Sequence, residues 1–151
     1  MKKFLLSLSL IVTVALANAQ LAKPIKWSYA SKKIADKEYE VVITATIQNN
    51  WHLYSQTQPA NAVNMPTIIK FNNNPLVKLD GKIKETGKLE FFEDKKLKIS
   101  ANQYANKVVF TQKVKLKTKA KTNISGTIDF QTCDDKKCLP PATETFKISL
   151  Q

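Results

Sequence analysis

The sequence predicts an all-β protein, and three observations carry the prediction. Apolar and polar residues alternate at a period of two in segment after segment, and those segments are rich in valine, isoleucine and threonine. Clusters of Asn, Asp, Gly and Pro punctuate them with turn chemistry. No window of helical length carries an apolar stripe of period 3.6. About eight or nine short strands in roughly 130 residues suit a β-sandwich of immunoglobulin-like type, with a closed barrel as the structural alternative. The Cys…Trp…Cys core spacing of antibody domains is absent, because the only cysteines are Cys133 and Cys138. No core-spanning disulfide of that kind is expected.

In chain order, the first segment is not part of the fold. "MKKFLLSLSLIVTVALANAQ" has two lysines, an apolar run from Phe4 to Leu16, and the small-x-small triplet Ala17-Asn18-Ala19. This is the layout of a secretory signal cleaved between Ala19 and Gln20. The run is short for a permanent membrane anchor. No cysteine stands at the cleavage site to carry a lipid. Residues 1–19 are therefore expected to be a signal peptide. Residues 20–151 are expected to be one immunoglobulin-like domain, exported as a soluble periplasmic monomer.

The strands follow. "KWSYA" is a short candidate. "YEVVITATIQ" puts Val41, Ile43, Ala45 and Ile47 on one face, with Val42, Thr44 and Thr46 on the other. "WHLYS", "TIIKF", "GKIK" and "KLKIS" are further short candidates, with turn chemistry in "FNNNP" and "LDG". "KVVFTQKVKLK" directs Val108, Phe110, Val114 and Leu116 to one side. "ISGTIDFQT" alternates through Ile124, Ile128 and Phe130, and "TFKISL" through Phe146, Ile148 and Leu150. Trp27 and Trp51 lie in alternating segments, where core packing is a better assignment than sugar binding.

The formal net charge is +12, and every basic residue is lysine. Without arginine the chain lacks the side chain best suited to bidentate contacts with phosphates and bases. The lysines are also spread over many segments. A lysine-coated soluble surface is the preferred reading, and no nucleic-acid partner is expected.

The chemistry concentrates in "FQTCDDKKCLPPATETF", a cysteine hairpin at residues 130–146. One strand ends near Thr132 and another begins near Thr143, which places the cysteines at an exposed turn. Pro140 and Pro141 hold the returning chain extended. Two cysteines in an oxidising compartment form a disulfide most simply. Zinc would want four ligands, and the one histidine, His52, is far away in sequence, so no metal is expected. Cysteine-protease chemistry would need an oxyanion loop that nothing near His52 resembles.

The bond is then either a structural staple or a redox reagent, and the residues leave both open. Closing so short a loop constrains the unfolded chain by only about 2 kcal/mol, against over 4 for a hundred-residue loop. That is a small benefit for a staple. Asp134 and Asp135 follow Cys133 and disfavour its thiolate, while Lys136 and Lys137 precede Cys138 and favour its thiolate. Cys138 is thus the better candidate to exchange with a partner, and Cys133 to resolve the mixed disulfide. The alternative is a non-catalytic sandwich that docks a protein partner and carries the disulfide as a staple.

"FQTCDDKKCLPPATETFKISL" resembles the end of the N-terminal periplasmic domain of the thiol:disulfide interchange protein DsbD. The shared pattern is an aromatic strand residue, Cys, a few mostly polar residues, Cys, then Leu and two prolines. "NWHLYSQTQP" resembles that family's early aromatic segment, and "YANKVVFTQKVKLK" the strand before its cysteine hairpin. The resemblance runs over nearly the whole of residues 20–151 and is weakest between Pro59 and Lys107.

What it implies is an immunoglobulin-like domain with Cys133 and Cys138 as a redox pair. Such a domain takes electrons from a membrane-embedded relay through a thioredoxin-like domain. It passes them to periplasmic oxidoreductases that correct disulfides or mature cytochrome c. This is the work of a component of a protein-disulfide reductase. It needs no bound cofactor, because the cysteines carry the electrons. The second cysteine of the family attacks the partner, in agreement with the charge argument for Cys138. Tyr54 matches an aromatic position near the pair, with core packing as its other reading. His52 reads as a structural or surface residue. "LEFFED" is the best match to a cap loop that shields the sulfurs, with Phe91 or Phe92 as the shield, or both as plain strand residues. The cysteine spacing is one residue shorter than in some members. The relay and thioredoxin-like domains are missing from this sequence, so the expectation is either that it works with separately encoded partners or that it has diverged.

Overall fold

The computed structural model describes residues 22–151. The expected signal peptide lies outside the described residues. Within them the chain forms nine strands and no helix: β1 (Ile25–Ala35), β2 (Glu38–Ile47), β3 (Trp51–Tyr54), β4 (Ile68–Phe71), β5 (Val77–Asp94), β6 (Ile99–Leu116), β7 (Thr122–Phe130), β8 (Thr132–Asp134) and β9 (Ala142–Leu150). They make two antiparallel sheets. The larger runs β1-β2-β6-β3-β8 with β5 also on β6, and the smaller runs β4-β7-β9. The sheets face each other as an immunoglobulin-like sandwich, not a closed barrel.

The alternating residues build the core. Val41, Ile43, Ala45 and Ile47 of β2 and Val108, Phe110, Val114 and Leu116 of β6 are buried against Ile124 and Ile128 of β7 and Phe146, Ile148 and Leu150 of β9. Each large side chain removed from water there contributes roughly 1.5–3 kcal/mol. Trp27 joins them, edge-on to Phe130 at 5.2 Å between ring centroids, and Trp51 packs against the same cluster.

β6 organises the larger sheet. Along one edge it pairs with β5. Along the other it pairs with β2 through Lys107–Lys115 and then with β3 at Gln103 and Tyr104. β2 and β3 therefore share one edge of one long strand. The turn between them passes through Asn50 at φ 66°, a left-handed conformation that asparagine tolerates well. The Trp51 N–H donates to the Gln48 carbonyl at 3.1 Å across that turn.

The short strands expected from "GKIK" and "KLKIS" are not separate. "GKIK" and "LEFFED" belong to β5, which with β6 forms a hairpin of two 18-residue strands. "LDG" is not a turn between strands either. It opens a bulge, with a register shift between Asp80 and Lys84 and Gly81 at φ 74°. Gln112, on the inner face of β6 between Phe110 and Val114, is 3% exposed. Its Nε2 lies 3.0 Å from the Asp80 carbonyl and 3.2 Å from that of Gly81. A polar side chain thus supplies the donors that the interrupted ladder does not.

Candidate functional site

The site begins at the hairpin that carries the cysteines. β8 pairs with β3, setting Cys133 opposite His52 and Thr132 opposite Leu53. The chain then turns through Asp134–Lys137. The Asp134 N–H donates to the Lys137 carbonyl at 2.9 Å, and the Leu139 N–H to the Thr132 carbonyl at 2.9 Å. The Asp134 carboxylate accepts from the backbone N–H groups of Lys136 (2.8 Å) and Lys137 (2.7 Å). These bonds, helped by the nearby lysine charges, hold its pKa below the ordinary carboxylate value. Asp134 is therefore a turn former as well as a charge. Lys137 is exposed, and its backbone closes the turn.

Cys133 and Cys138 face each other across this turn and are bonded Sγ to Sγ. The expectation of a pair exposed at a turn applies to one of them. Cys138 is exposed, but Cys133 is 4% exposed and packs with Tyr54 and Ala101. The cause is register. In the ladders β8–β3, β3–β6 and β6–β5, Cys133 falls on the same side as His52, Tyr54, Gln103, Ala101 and Phe92. Leu53 and Tyr104 fall on the other side, in the core. The disulfide thus lies on the face of the larger sheet that points away from the sandwich interior.

A cleft of about 360 Å³ borders the sulfurs, walled by Tyr54, Val63, Phe92 and Ile99, with Asp134 and Asp135 at its rim. The period of two separates the two phenylalanines. Phe92 pairs with Ala101 and lines the cleft; Phe91 pairs with Asn102, points to the opposite face and is 64% exposed. Both sit in β5 and not in a loop. Burial pushes the Tyr54 phenol up, and its hydrogen bond with Asn64 acts in the opposite direction.

The segment that reaches over the sulfurs is the connection from β3 to β4, whose part beyond Pro59 the sequence did not single out. Asn64 Nδ2 lies 3.3 Å from Cys133 Sγ and 3.7 Å from Cys138 Sγ. Polar bonds fix this connection at several points. Gln58 Nε2 donates to the Asn102 carbonyl (2.7 Å), and the Asn102 N–H returns a bond to Gln58 Oε1 (3.0 Å). The Met65 N–H donates to Gln131 Oε1 (3.1 Å), and Gln131 Nε2 donates to the Leu139 carbonyl (3.2 Å). Gln131 thereby ties the connection to the cysteine hairpin. Glu85 holds its start: Ser55 Oγ (2.6 Å), the Gln56 N–H (2.6 Å) and the Tyr104 hydroxyl (2.9 Å) all donate to that carboxylate. Ser55–Pro59 at the start of the connection fall in "NWHLYSQTQP", but "ANAVNMP", which bears Asn64, carries no motif.

The arrangement is suited to thiol–disulfide exchange. One sulfur is open to an attacking thiolate. The other is shielded, and the Asn64 amide lies within bonding distance of both, nearer to the shielded one.

Comparison with known proteins agrees with this chemistry. The family model described as "Thiol:disulfide interchange protein DsbD, N-terminal" matches residues 18–150. A solved structure of the reduced DsbD N-terminal domain of Neisseria meningitidis is 17% identical, with a TM-score of 0.54, covering 86% of this chain and 90% of that one. A complex between the DsbD N-terminal and PilB N-terminal domains of the same organism gives 18% identity and a TM-score of 0.55, covering 87% of this chain and 88% of that one. The N-terminal periplasmic domain of ScsB from Proteus mirabilis gives 14% and 0.57, covering 85% of this chain and 47% of that one. At these identities the structural likeness speaks for the fold. No curated protein matches the chain in sequence.

Proposed function

Because the chain belongs to the DsbD N-terminal domain family, we propose that it is a periplasmic thiol–disulfide exchange module working through Cys133 and Cys138. It takes reducing equivalents from a thioredoxin-like or membrane-embedded donor and delivers them to periplasmic oxidoreductases, including those that mature cytochrome c. Its partners are other proteins, and the two cysteines are the carriers.

The observation that carries this reading is the unequal exposure of one disulfide: Cys138 is open and Cys133 is 4% exposed. In the reductive half-cycle a donor thiolate attacks Cys138 Sγ. The Sγ–Sγ bond breaks and its electron pair leaves on Cys133 Sγ. The donor's second thiolate then attacks the donor sulfur of the mixed disulfide and releases Cys138. Two electrons and two protons have moved, and the donor leaves as a disulfide. In the second half-cycle the Cys138 thiolate attacks an acceptor disulfide, and Cys133 attacks Cys138 Sγ to release the reduced acceptor. Tyr54 and Phe92 wall the site. Phe91, on the opposite face of β5, stands outside the site. Asp134 and the Lys137 backbone set the turn.

The test is covalent trapping. Cys133→Ser leaves the attacking sulfur without its resolving partner, so it accumulates mixed disulfides with thioredoxin-like proteins; Cys138→Ser does not. Trapping by Cys138→Ser alone reverses the roles. An oxidised protein that thioredoxin-like dithiols cannot reduce is a stapled binding domain instead.

A further inference from the structure

In thiol exchange the sulfur that leaves is as important as the sulfur that is attacked. Here the leaving sulfur, Cys133 Sγ, is buried, and a developing anion in such a place is costly unless a donor meets it. The charged residues of "DDKK" do not supply one. Asp134 and Asp135 line the cleft, and Lys136 and Lys137 do not. The ionisable groups lining the cleft, besides the cysteines, are His52 and Tyr54 of β3 and Asp134 and Asp135 of the turn; on the β5–β6 side Phe92, Ile99 and Gln103 line it without charge, and Glu90, opposite Gln103 on the same face, lies outside the lining.

We infer that Asn64 is a catalytic residue: its side-chain amide donates to Cys133 Sγ as the thiolate forms, holding the leaving sulfur in a site that lacks a lysine. Three observations carry this. Asn64 Nδ2 is nearer to Cys133 Sγ (3.3 Å) than to Cys138 Sγ (3.7 Å), which favours the sulfur assigned to leave. The connection bearing Asn64 is fixed beside it by the bond from the Met65 N–H to Gln131. Asn64 and Tyr54 line the same cleft, which borders both sulfurs. A neutral amide suits both states. It bonds weakly to the disulfide and more strongly to a thiolate, and it leaves no buried charge behind when the bond re-forms.

The inference rests on the exchange reading above, but its test needs no protein partner. Oxidised wild type, Asn64→Ala and Asn64→Asp are reduced with dithiothreitol at fixed pH, and the thiolate of each reduced protein is titrated by ultraviolet absorbance. Loss of the donor slows reduction of Asn64→Ala about ten-fold, the worth of one hydrogen bond to a charged group, and raises the Cys133 thiol pKa by about one unit. Asn64→Asp, similar in shape but carrying negative charge, is slower still. A residue that merely covers the sulfurs gives the opposite sign, because truncation exposes them and reduction accelerates. Faster or unchanged reduction of Asn64→Ala, or an unmoved thiol pKa in both variants, overturns the inference. Val63→Ala thins the cover without touching the donor, and its reduction is not slowed; equal slowing there also overturns the inference. Failure of Cys133→Ser to trap thioredoxin-like proteins, with the Asn64 effects intact, removes the relay role and leaves the Asn64 chemistry standing.

Discussion

Tyr104 is a core residue with a polar end. Its ring is buried beside Val108, and its hydroxyl donates to Glu85, the carboxylate that also receives Ser55 and the Gln56 N–H. Burial first, and then the bonded carboxylate, push the Tyr104 phenol up to about 12 from 10.0. Tyr29 is raised to about 12 in the same way, by burial and by Glu144. The sign follows from the neutral form being favoured in the fold. The stability contributed is fully present below the unfolded phenol's value of 10.0 and is lost as pH rises through about 12. Alkaline difference spectroscopy is expected to show both phenolates appearing two units late, and urea titrations to show stability falling across that window. Tyr104→Phe flattens part of the fall and costs about 1 kcal/mol at neutral pH, because Glu85 keeps its other donors. A wild-type phenolate titration complete near pH 10 contradicts this account.

At the scale of elements, the smaller sheet depends on one close approach. Gly126 of β7 pairs with Phe71 of β4 and with Phe146 of β9, and those two rings meet edge-on at 5.5 Å. A Cβ at Gly126 would lie 2.1 Å from the Lys70 carbonyl oxygen and 2.7 Å from Phe146 Cζ. The first clash is with backbone, which cannot swing aside as a side chain can. Gly126→Ala is therefore expected to lower stability by about 2 kcal/mol or more, read as a shift of the urea midpoint. β4 follows the connection that carries Asn64, so the same variant is expected to speed proteolysis within residues 55–67. An unchanged midpoint would mean that β4 moves away freely and is not a fixed wall of the sandwich.

At the scale of the molecule, the proposed exchange function requires that the domain stay folded in both redox states. The cysteines are five residues apart in sequence. A loop this short restricts the unfolded chain by only about 2 kcal/mol. The core is built from β2, β3, β4, β6, β7 and β9, none of which contains a cysteine. Reduction is therefore expected to leave unfolding cooperative and to lower stability by about 2 kcal/mol, measured by urea denaturation with and without a dithiol. A loss above about 4 kcal/mol, or loss of cooperativity, would mark the bond as structural support. The net charge of +12 does not enter this balance, since the lysines lie mostly on the surface, where solvent and salt screen them.

The sequence alone determined the all-β class, the inward faces of β2, β6, β7 and β9, and the cysteine pair with its family. Each of these is a local signal: a period of two, a run of β-branched residues, a motif within twenty residues. It did not show that "GKIK", "LEFFED" and "KLKIS" are stretches of one long hairpin, because the Asp80–Lys84 bulge reads as a turn when only its own residues are seen. It left Phe91 and Phe92 undivided, because which of them faces the sulfurs depends on β5–β6 register. Asn64, Gln131 and Glu85 gave no signal, since an asparagine some seventy residues from a cysteine has no local reason to meet it. Only the tertiary structure decided that Cys133 is buried and Cys138 open. That difference arises where β8, β3, β6 and β5 pair in one register and the β3–β4 connection folds back across them.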